Sequence, residues 1–367
     1  MSKILLIEPF FGGSHQQWAE GWKKYSQHQI EWLTLSGHHW KWRMHGGAVT
    51  LAQQFLRMDF CPDWIVASDM LDLSVFLALT RSKTAGIPIA VYFHENQLTY
   101  PWSATDQDPQ KQQDNHYKFI NYTSALVADK CLFNSDYHRK SFLEALPLFL
   151  KKFPDHKNLS SIDAVIRKSQ VLPLGLDLRK HDANRPVQKS STQSPMLLWN
   201  HRWEYDKNPD VFFNALFELQ KQGIAFQLIV LGEQLQQSPL IFAKAKERLK
   251  KHILHWGYCQ DRTKYSWWLW QADILPVTSH QDFFGGSIIE AVYCDTIPLL
   301  PKRLAYPEHF PEQSDFYYQN DEDFLESLIR AIHSFQANSP IKTRHLVQKY
   351  DWHSLIERYD ELFTLRY

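Results

Sequence analysis

A chain of 367 residues is longer than one hydrophobic core usually spans, so two domains are expected. Its 40 basic and 40 acidic side chains cancel, which argues against a protein that coats nucleic acid through a uniformly basic surface but leaves a local basic patch open. The four cysteines form no Cys-x-x-Cys pair, which disfavours a structural zinc site and is typical of a reducing compartment. The first apolar run, before Glu8, predicts a strand and not a signal peptide, and no stretch reaches the roughly 18 apolar residues of a membrane span. A cytoplasmic location is therefore expected.

The first half alternates short apolar runs with longer helical patterns, which is typical of parallel α/β layers. It predicts strands near Ile4–Ile7, Ile30–Leu35, Trp64–Ala67, Ile89–Phe93, Lys130–Asn134 and Gln170–Pro173, with helices that include Leu71–Ser82, Tyr117–Ala128 and Tyr137–Phe149. These elements predict an N-terminal Rossmann-like domain over residues 1–180, which we expect to bind the acceptor.

Residues 181–194 are polar and have the composition of a linker. A second α/β series follows, with predicted strands Met196–Asn200, Phe226–Leu231, Ile253–Trp256, Ala272–Val277 and Thr296–Leu300 and helices Pro209–Gln222, Phe242–Lys251, Arg262–Gln271 and Gly286–Cys294. This series predicts a second Rossmann-like domain over residues 195–350. A last helix within 351–367, Trp352–Phe363, could pack back on the first domain.

Three segments follow predicted strands, where α/β domains usually bind ligands. In the first, Glu8-Pro-Phe-Phe-Gly-Gly-Ser-His15, the paired glycines Gly12 and Gly13 would let backbone N–H groups approach a phosphate or sugar. It is not the Gly-x-Gly-x-x-Gly pattern of NAD sites, and a tight strand-to-helix turn explains the glycines equally well. The second segment holds Arg202 and Lys207, two cations that suit a diphosphate. The alternative is a solvated loop with salt bridges to Glu204 and Asp206.

The third segment is Asp273–Ala291, in which a strand is followed by Asp282, by three small residues that open a helix, and by Glu290 on that helix. A helix amino end offers N–H groups and a positive dipole to an anionic diphosphate. The two acids, eight positions apart, could bracket a ligand, one at sugar hydroxyls and one at a ribose.

This third segment resembles the Glu-x7-Glu motif of retaining GT-B glycosyltransferases, with Asp282 in place of the first Glu. The resemblance implies two facing Rossmann-like domains with an interdomain cleft, and a diphosphate neutralised by Arg202 and Lys207. It also implies that Glu290 binds the ribose, that Asp282 binds sugar hydroxyls, and that His94, at the end of a strand, bonds the transferred sugar. A lone histidine is otherwise more often structural.

The remaining donor-binding residues implied by this resemblance are Gly12, Gly13, Tyr258, Phe284, Gly285, Gly286 and Ser287. Two Asp-x-Asp triplets, Asp106–Asp108 and Asp321–Asp323, are the pattern that binds a metal in the other major glycosyltransferase fold. Here one lies in a polar loop and the other at a helix start, where Asp caps the helix, so we expect both to be incidental. No catalytic metal and no cofactor is expected, because the cations and helix amides supply the positive charge.

A closer resemblance extends over both halves of the chain. The segments Ile7–His15, Trp40–Arg43, Tyr92–Leu98, His201–Lys207, His255–Tyr258 and Phe283–Cys294 look like those of the tRNA-queuosine α-mannosyltransferase family. This resemblance implies transfer of mannose from GDP-mannose to the cyclopentene diol of queuosine, at the wobble position of tRNA-Asp, with retention of configuration.

Gly37–Gly47 is predicted to be a loop after the second strand, and it brings indoles and cations together. Aromatic side chains with interleaved cations hold splayed-out RNA bases, which suits an anticodon-loop acceptor. The alternative is that the tryptophans complete the core. The candidate tRNA-binding residues are His15, Trp40, Lys41, Trp42, Arg43, Glu95 and Asn96.

Three rival functions remain open. A glycosyltransferase of the same fold could act on a lipid or saccharide, which a basic amphipathic helix would favour. A sugar-nucleotide epimerase would need further acids for proton abstraction. A non-catalytic module that binds nucleotide sugars or RNA would not need the two diphosphate cations, whereas both are present.

Overall fold

The computed structural model describes residues 1–103, 106–108, 115–187, 194–234, 238–311, 313–337 and 341–364. The chain forms two compact units, one of Met1–Leu176 with Trp352–Tyr367 and one of Asp177–Asp351. Among the described residues, no helix combines the length and apolarity that crossing a membrane requires.

The first unit is built on a six-stranded parallel sheet in the order β2-β1-β3-β4-β5-β6. β3 and β4 are buried along their whole length because helices cover both faces, which is why they read as continuous apolar runs. The strands are β1 Lys3–Phe11, β2 Gln29–Ser36, β3 Trp64–Ser68, β4 Ile89–Phe93, β5 Lys130–Phe133 and β6 Ser169–Val171. The helices are α1 Gly13–Tyr25, α2 Trp40–Arg57, α3 Leu73–Thr84, α4 Asn115–Val127, α5 Asp136–Leu150, α6 Ser161–Lys168 and, from the end of the chain, α13 Trp352–Phe363.

The last helix, α13, is an integral part of the first unit. The Trp352 ring fills space left by two glycines, because a Cβ at Gly21 would lie 1.9 Å from its Nε1 and one at Gly175 would lie 2.6 Å from its ring. The Tyr359 hydroxyl accepts a hydrogen bond from Trp18 Nε1 at 3.0 Å. These buried contacts tie the end of the chain to α1.

The second unit has a six-stranded parallel sheet in the order β12-β11-β10-β7-β8-β9. An aromatic cluster packs under its centre, where the rings of Trp203 and Phe242 stack at 4.3 Å and Trp199 packs beside Phe213. The strands are β7 Met196–Asn200, β8 Gln227–Leu231, β9 Ile253–Trp256, β10 Ile274–Pro276, β11 Ile297–Pro301 and β12 Tyr317–Tyr318. The helices are α7 Pro209–Lys221, α8 Ile241–Arg248, α9 Arg262–Gln271, α10 Gly286–Tyr293, α11 Tyr306–His309 and α12 Phe324–Ala337.

Two segments differ from their sequence predictions. The expected loop Gly37–Gly47 is in fact the start of α2, which begins at Trp40 after His39 in the left-handed region at φ 55°. The helix forms because Met44, Ala48 and further apolar residues recur at helical spacing and are buried. Within the predicted linker 181–194, residues 181–184 close the 3₁₀ helix Leu178–Asn184, which belongs to the second unit. Residues 188–193 of that linker lie outside the described residues.

Candidate active site

The strand ends of the first unit bring together several buried polar side chains. Because β1, β3 and β4 are neighbours in a parallel sheet, the residues at their carboxyl ends meet at one edge. Glu8, fully buried in β1, lies with Oε2 3.0 Å from His15 Nδ1 on α1. Its Oε1 accepts hydrogen bonds from the Ser68 hydroxyl at 2.9 Å and from the Phe10 N–H at 2.8 Å. Glu8 and His15 therefore form a buried ion pair with both carboxylate oxygens occupied.

His94 follows β4 and is held by its backbone. Its N–H donates to Asp69 Oδ1 at 2.7 Å, and its carbonyl accepts from Asn134 Nδ2 at 2.9 Å. The imidazole stacks on that of His15, with the ring centroids 4.1 Å apart, and meets the Trp18 indole edge-on at 4.7 Å. Among the described residues, neither His94 Nε2 nor Asp69 Oδ2 has a hydrogen-bond partner, although both are buried. Unpartnered buried polar atoms are uncommon and favour a site for a polar ligand.

The two stacked imidazoles carry different charges. Burial lowers the pKa of His15, but Glu8 outweighs it and raises the pKa to about 9. Burial lowers the pKa of His94 well below its usual range, and the nearby His15 and His138 act in the same direction. Burial also raises the pKa of the Asp69 carboxyl well above its usual range. At neutral pH, His15 is therefore an imidazolium and His94 is neutral.

Glu8, His15 and His94 each offer a ligand atom within 4.8 Å of the others, as a metal site would require. The ion pair accounts for this closeness, because a protonated His15 has no lone pair to give a metal while its Nδ1 donates to Glu8. The expectation that catalysis uses no metal stays a prediction.

The two glycines after β1 have conformational reasons to be glycine. Gly13 has φ 53°, in the left-handed region, and a Cβ at Gly12 would lie 3.3 Å from the Cα of Gly37. The tight turn and the amino end of α1 occur together here. This geometry accounts for the pair as a tight strand-to-helix turn, and a backbone site for an anion here stays a prediction.

In the second unit, Lys207 is nearly buried at a junction of two strand ends. Its Nζ donates to the Gln281 carbonyl at 2.5 Å, to Asp282 Oδ1 at 3.0 Å and to Asp206 Oδ2 at 3.0 Å. The other Asp282 oxygen accepts from the Tyr306 hydroxyl at 2.5 Å. Burial lowers the pKa of Lys207, but the two aspartates outweigh it and the net shift is upward. The ammonium is thus charged and fixed in place.

Arg202 differs from Lys207 in exposure. Its side chain is 53% exposed, and its Nη2 lies 3.0 Å from Glu204 Oε2. Both salt bridges of the solvated-loop interpretation are present, Arg202 with Glu204 and Lys207 with Asp206. Lys207, however, is buried and bonded to Asp282, so this part of the loop is not a solvated surface, and a diphosphate site here stays a prediction.

Glu290, on α10, accepts hydrogen bonds from two side chains and lies close to a third polar group. Its Oε1 lies 2.9 Å from Lys180 Nζ and 3.4 Å from His181 Nε2, and its Oε2 accepts from the Tyr265 hydroxyl at 2.8 Å. Burial would raise the pKa of this carboxyl, but Lys180 and His181 outweigh it and hold the pKa well below its usual range. A cavity of about 210 Å³ lies beside this cluster, lined by residues that include Lys180, Tyr265 and Arg262. Glu290 is therefore an ordered carboxylate, and two of the side chains that hold it, Lys180 and Tyr265, line this cavity.

The amino end of α10 is shaped by its capping residues. Gly285 precedes the helix in the left-handed region at φ 81°, and Gly286 is its first residue. The Phe284 ring is buried, and its carbonyl accepts from His309 Nε2 at 2.6 Å. The Ser287 carbonyl accepts from Asn200 Nδ2 at 3.0 Å. Phe284 thus anchors the turn, and the glycines open the helix end.

The predicted RNA-binding segment Trp40–Arg43 is the first turn of α2, and its side chains have different environments. Trp40 packs on Tyr117 at 5.1 Å, in agreement with the core alternative, whereas Trp42 is 64% exposed. Lys41 Nζ lies 2.8 Å from Asp106 and 2.6 Å from Asp108. Both aspartates of the first Asp-x-Asp triplet therefore form ion pairs with Lys41.

For the second triplet, Asp321–Asp323, the prediction that an Asp caps the helix is wrong. The side chain that caps the helical start is that of Asn320, which accepts from the Asp323 N–H at 3.0 Å. Asp321 instead pairs with Arg303 at 3.0 Å and lies 3.0 Å from His280. The second triplet thus contributes to a surface network on the second unit.

Three further predicted residues have distinct positions. Arg43 donates to the Ser36 carbonyl and hydroxyl, both at 3.1 Å. Asn96 is fully buried, and its Oδ1 accepts from the backbone N–H groups of Leu98 and Thr99, while Glu95 is half-buried. Tyr258 is 56% exposed and follows Gly257, whose φ is 116°. Trp42 and Tyr258 are the large exposed aromatics among the predicted site residues.

The sequence prediction missed the partners that hold the predicted residues. Glu8 had a detectable signal, because an acid inside an apolar strand needs a buried partner. Asp69, Lys180, Tyr265 and Tyr306 had none, since nothing in their local sequence indicates what they contact.

The second unit and its site define a class of protein. Residues 180–351 match the family model for group 1 glycosyl transferases. The chain is similar to sucrose-phosphate synthase from Thermosynechococcus elongatus, with a TM-score of 0.67 at 14% identity over 99% of this chain and 98% of that one. It is also similar to Anabaena HepE in complex with UDP, with a TM-score of 0.65 at 15% identity over 98% and 99% of the two chains. The fold is GT-B, and the chain is a glycosyltransferase.

A closer match covers the first unit. Residues 3–176 match the family model of the tRNA-queuosine alpha-mannosyltransferase N-terminal region. A Drosophila melanogaster tRNA-queuosine alpha-mannosyltransferase is 33% identical over 324 residues, which cover 86% of this chain and 84% of the relative. The chain belongs to the tRNA-queuosine alpha-mannosyltransferase family.

Proposed function

We propose that this cytoplasmic protein transfers mannose from GDP-mannose to the cyclopentene diol of queuosine in tRNA-Asp, with retention of configuration. The observation that carries the proposal is the 33% identity to a tRNA-queuosine mannosyltransferase over 86% of the chain. The site supports it with the buried Lys207–Asp282 pair and the ordered Glu290 carboxylate.

The donor is proposed to bind the second unit. Lys207, fixed by two aspartates, and the exposed Arg202 place positive charge where a diphosphate leaving group gains negative charge. The amino end of α10, opened by Gly285 and Gly286, adds N–H donors. Glu290 accepts hydrogen bonds from the ribose hydroxyls, and the exposed ring of Tyr258 is available to the base. These groups bind a nucleoside diphosphate without a metal.

Sugar transfer is proposed to occur by front-side attack. The bond from the sugar C1 to the diphosphate oxygen breaks, the bond from C1 to the acceptor oxygen forms on the same face, and the departing diphosphate takes the acceptor proton. His94 bonds a hydroxyl of the transferred sugar, for which its neutral ring offers one N–H and one lone pair. Asp282 fixes Lys207 in addition to binding the sugar.

The acceptor is proposed to be an RNA loop. The exposed Trp42 ring is available for stacking on an unpaired base, and Arg43 lies one residue further along α2. Sequence-specific proteins usually recognise single-stranded RNA by such stacking and by hydrogen bonds to base edges. A loop that carries a modified wobble base presents both.

The assay incubates the protein with queuosine-containing tRNA and, separately, GDP-mannose, GDP-glucose, UDP-glucose and UDP-galactose, and then measures the mass of the digested nucleosides. A hexose gain on queuosine with GDP-mannose alone is the expected result. Matched tRNA that carries guanosine at the wobble position is the control and should gain nothing. The absence of any gain on queuosine with every donor would reject the proposal.

The role of His94 has its own test. His94→Ala should nearly abolish transfer while binding of GDP-mannose, measured by calorimetry, is retained. His333→Ala, at an exposed position on α12, is the control and should leave both unchanged. Full turnover by His94→Ala would remove His94 from the mechanism.

A further inference from the structure

The buried pair Glu8–His15 has no place in the mechanism above. Placing two charges in a protein interior costs free energy that a pair of apolar residues would not cost. Glu8 is fully buried, and His15 is 8% exposed. The pair lies directly against His94, because the imidazoles of His15 and His94 stack with centroids 4.1 Å apart and an interplanar angle of 31°.

The charged groups around His15 come from three strand ends. Glu8 on β1 accepts from its Nδ1 at 3.0 Å, and the nearby carboxyl groups of Asp69 after β3 and Glu95 after β4 also raise the pKa of His15. The Phe10 ring meets its edge at 5.9 Å. His15 is thus the cation at the centre of a group of carboxyls.

The groups that face His94 are of a different kind. The His15 imidazolium covers one face, and His138 on α5 also disfavours a second positive charge. The rings of Trp18 and Tyr92 pack at 4.7 and 4.8 Å, and the Asp69 carboxyl contacts the backbone N–H of His94. The side chain of His94 therefore depends on packing for its position, and His15 is a principal part of that packing.

We infer that His15 is a positioning residue, held by its bond to Glu8, that keeps the stacked ring of His94 oriented towards the transferred sugar. This inference rests on the proposed role of His94. Burial alone already favours a neutral His94, so the distinct contribution of the ion pair is the orientation of the two rings. If His15 loses its proton, the ion pair is lost and the buried Glu8 carboxylate remains without its cation.

The pH dependence follows from the sign of the shift. The pKa of His15 is raised to about 9, so the ring keeps its proton at neutral pH and the ion pair is lost as the pH rises through about 9. The stability that the pair adds is complete below the ordinary histidine pKa and is lost as the pH rises through the raised value. The kcat of the wild-type enzyme should therefore fall on the alkaline side near this value.

The test compares kcat and KM between pH 6 and 10 for the wild-type protein, Glu8→Gln and Ser68→Ala. Glu8→Gln keeps the shape of the side chain and removes its charge, so the alkaline decrease in kcat should move to lower pH. At pH 7.5 its kcat should drop roughly 10- to 100-fold, as for a misplaced reacting group, with little change in the donor KM. Ser68→Ala is the matched control, because it removes a neutral hydrogen bond to the same carboxylate and leaves the ion pair intact.

Nuclear magnetic resonance of the intact, histidine-labelled protein gives a readout independent of activity. The His15 signal, identified by its loss in His15→Gln, should show an imidazolium at pH 7.5 in the wild-type protein and a neutral ring in Glu8→Gln. A neutral His15 in the wild-type protein, a wild-type kcat that stays constant to pH 10, or equal pH profiles for Glu8→Gln and Ser68→Ala would each overturn the inference. Failure of the proposed function would appear instead as no transfer by the wild-type protein, with the His15 titration still measurable.

Discussion

Replacing Lys207 with methionine tests the electrostatic core of the donor site. The Lys207 ammonium donates to Asp206 and Asp282, each at 3.0 Å, and the side chains of these residues are at most 15% exposed. Methionine keeps most of the volume but leaves the two carboxylates buried without their shared cation. Removing one partner of a buried ion pair costs about 3–5 kcal/mol, and we expect Lys207→Met to lower the free energy of unfolding by that amount at pH 7.5.

The loss should depend on pH in a defined direction. In the wild-type protein, burial acts to raise the pKa of Asp282, but Lys207 outweighs it and the pKa is lowered. The Asp282 carboxylate therefore stabilises the fold above its ordinary pKa, and that contribution is lost as the pH falls through the depressed value. Without Lys207, burial raises the pKa of Asp282. Protonation of Asp282 then removes a buried charge and makes the variant less unstable. The deficit in unfolding free energy should be smaller at pH 5 than at pH 7.5.

The assay is urea unfolding at both pH values, with kcat measured in parallel. Lys207→Met/Asp282→Asn should recover part of the lost stability but none of the activity, because the second change removes one uncompensated charge. Lys221→Met is the control, since that lysine is 72% exposed in its pair with Glu218 and should change stability by less than about 1 kcal/mol. If Lys207→Met costs no more than this control, or if its deficit does not shrink at pH 5, the electrostatic account is refuted.

Three further substitutions follow from the same contacts. Tyr265→Phe removes the donor 2.8 Å from Glu290, and we expect about tenfold weaker GDP binding by calorimetry; unchanged affinity would contradict a role for this bond. Trp42→Ala should raise the KM for tRNA about 5- to 100-fold through lost stacking without affecting GDP binding, and an unchanged KM would exclude the ring from the RNA interface. Gly232→Ala should destabilise the protein by at least about 2 kcal/mol in thermal unfolding, because φ is 101° and the new Cβ would lie 1.8 Å from the His201 carbonyl; a wild-type melting temperature would show that the turn adapts.

The α/β fold was predictable because parallel strands buried on both faces read as apolar runs. Ile89–Phe93 and Met196–Asn200 have the predicted bounds, and the predicted fold class is confirmed. The start of α2 was mistaken for a loop because its aromatic and charged side chains hide the helical spacing of Met44 and the buried residues after it. Composition described the segment, but packing determined its conformation.

The residues of the candidate site also divide into those that the sequence predicts and those that it does not. Residues at strand ends, such as His94 and Lys207, were predictable from their position after apolar runs. Their partners were not, because Tyr306 approaches Asp282 and Lys180 approaches Glu290 only through the tertiary fold. Local sequence indicates where a ligand site lies, but the groups that set its charge come from distant parts of the chain.

The place of α13 has a consequence for biosynthesis. The backbone N–H of Trp352 donates to the Leu176 carbonyl at 2.9 Å, and the Trp352 ring packs against Gly21 and Gly175. When Leu176 has left the ribosome during synthesis, every strand of the first sheet has emerged. The helix α13, which packs on α1, has not yet been made. Domains usually fold from the amino terminus during synthesis, yet this one can finish only after the second unit has left the ribosome. Until then, the indoles of Trp18 and Trp22 lack part of their cover, and the emerging chain offers chaperones an apolar surface.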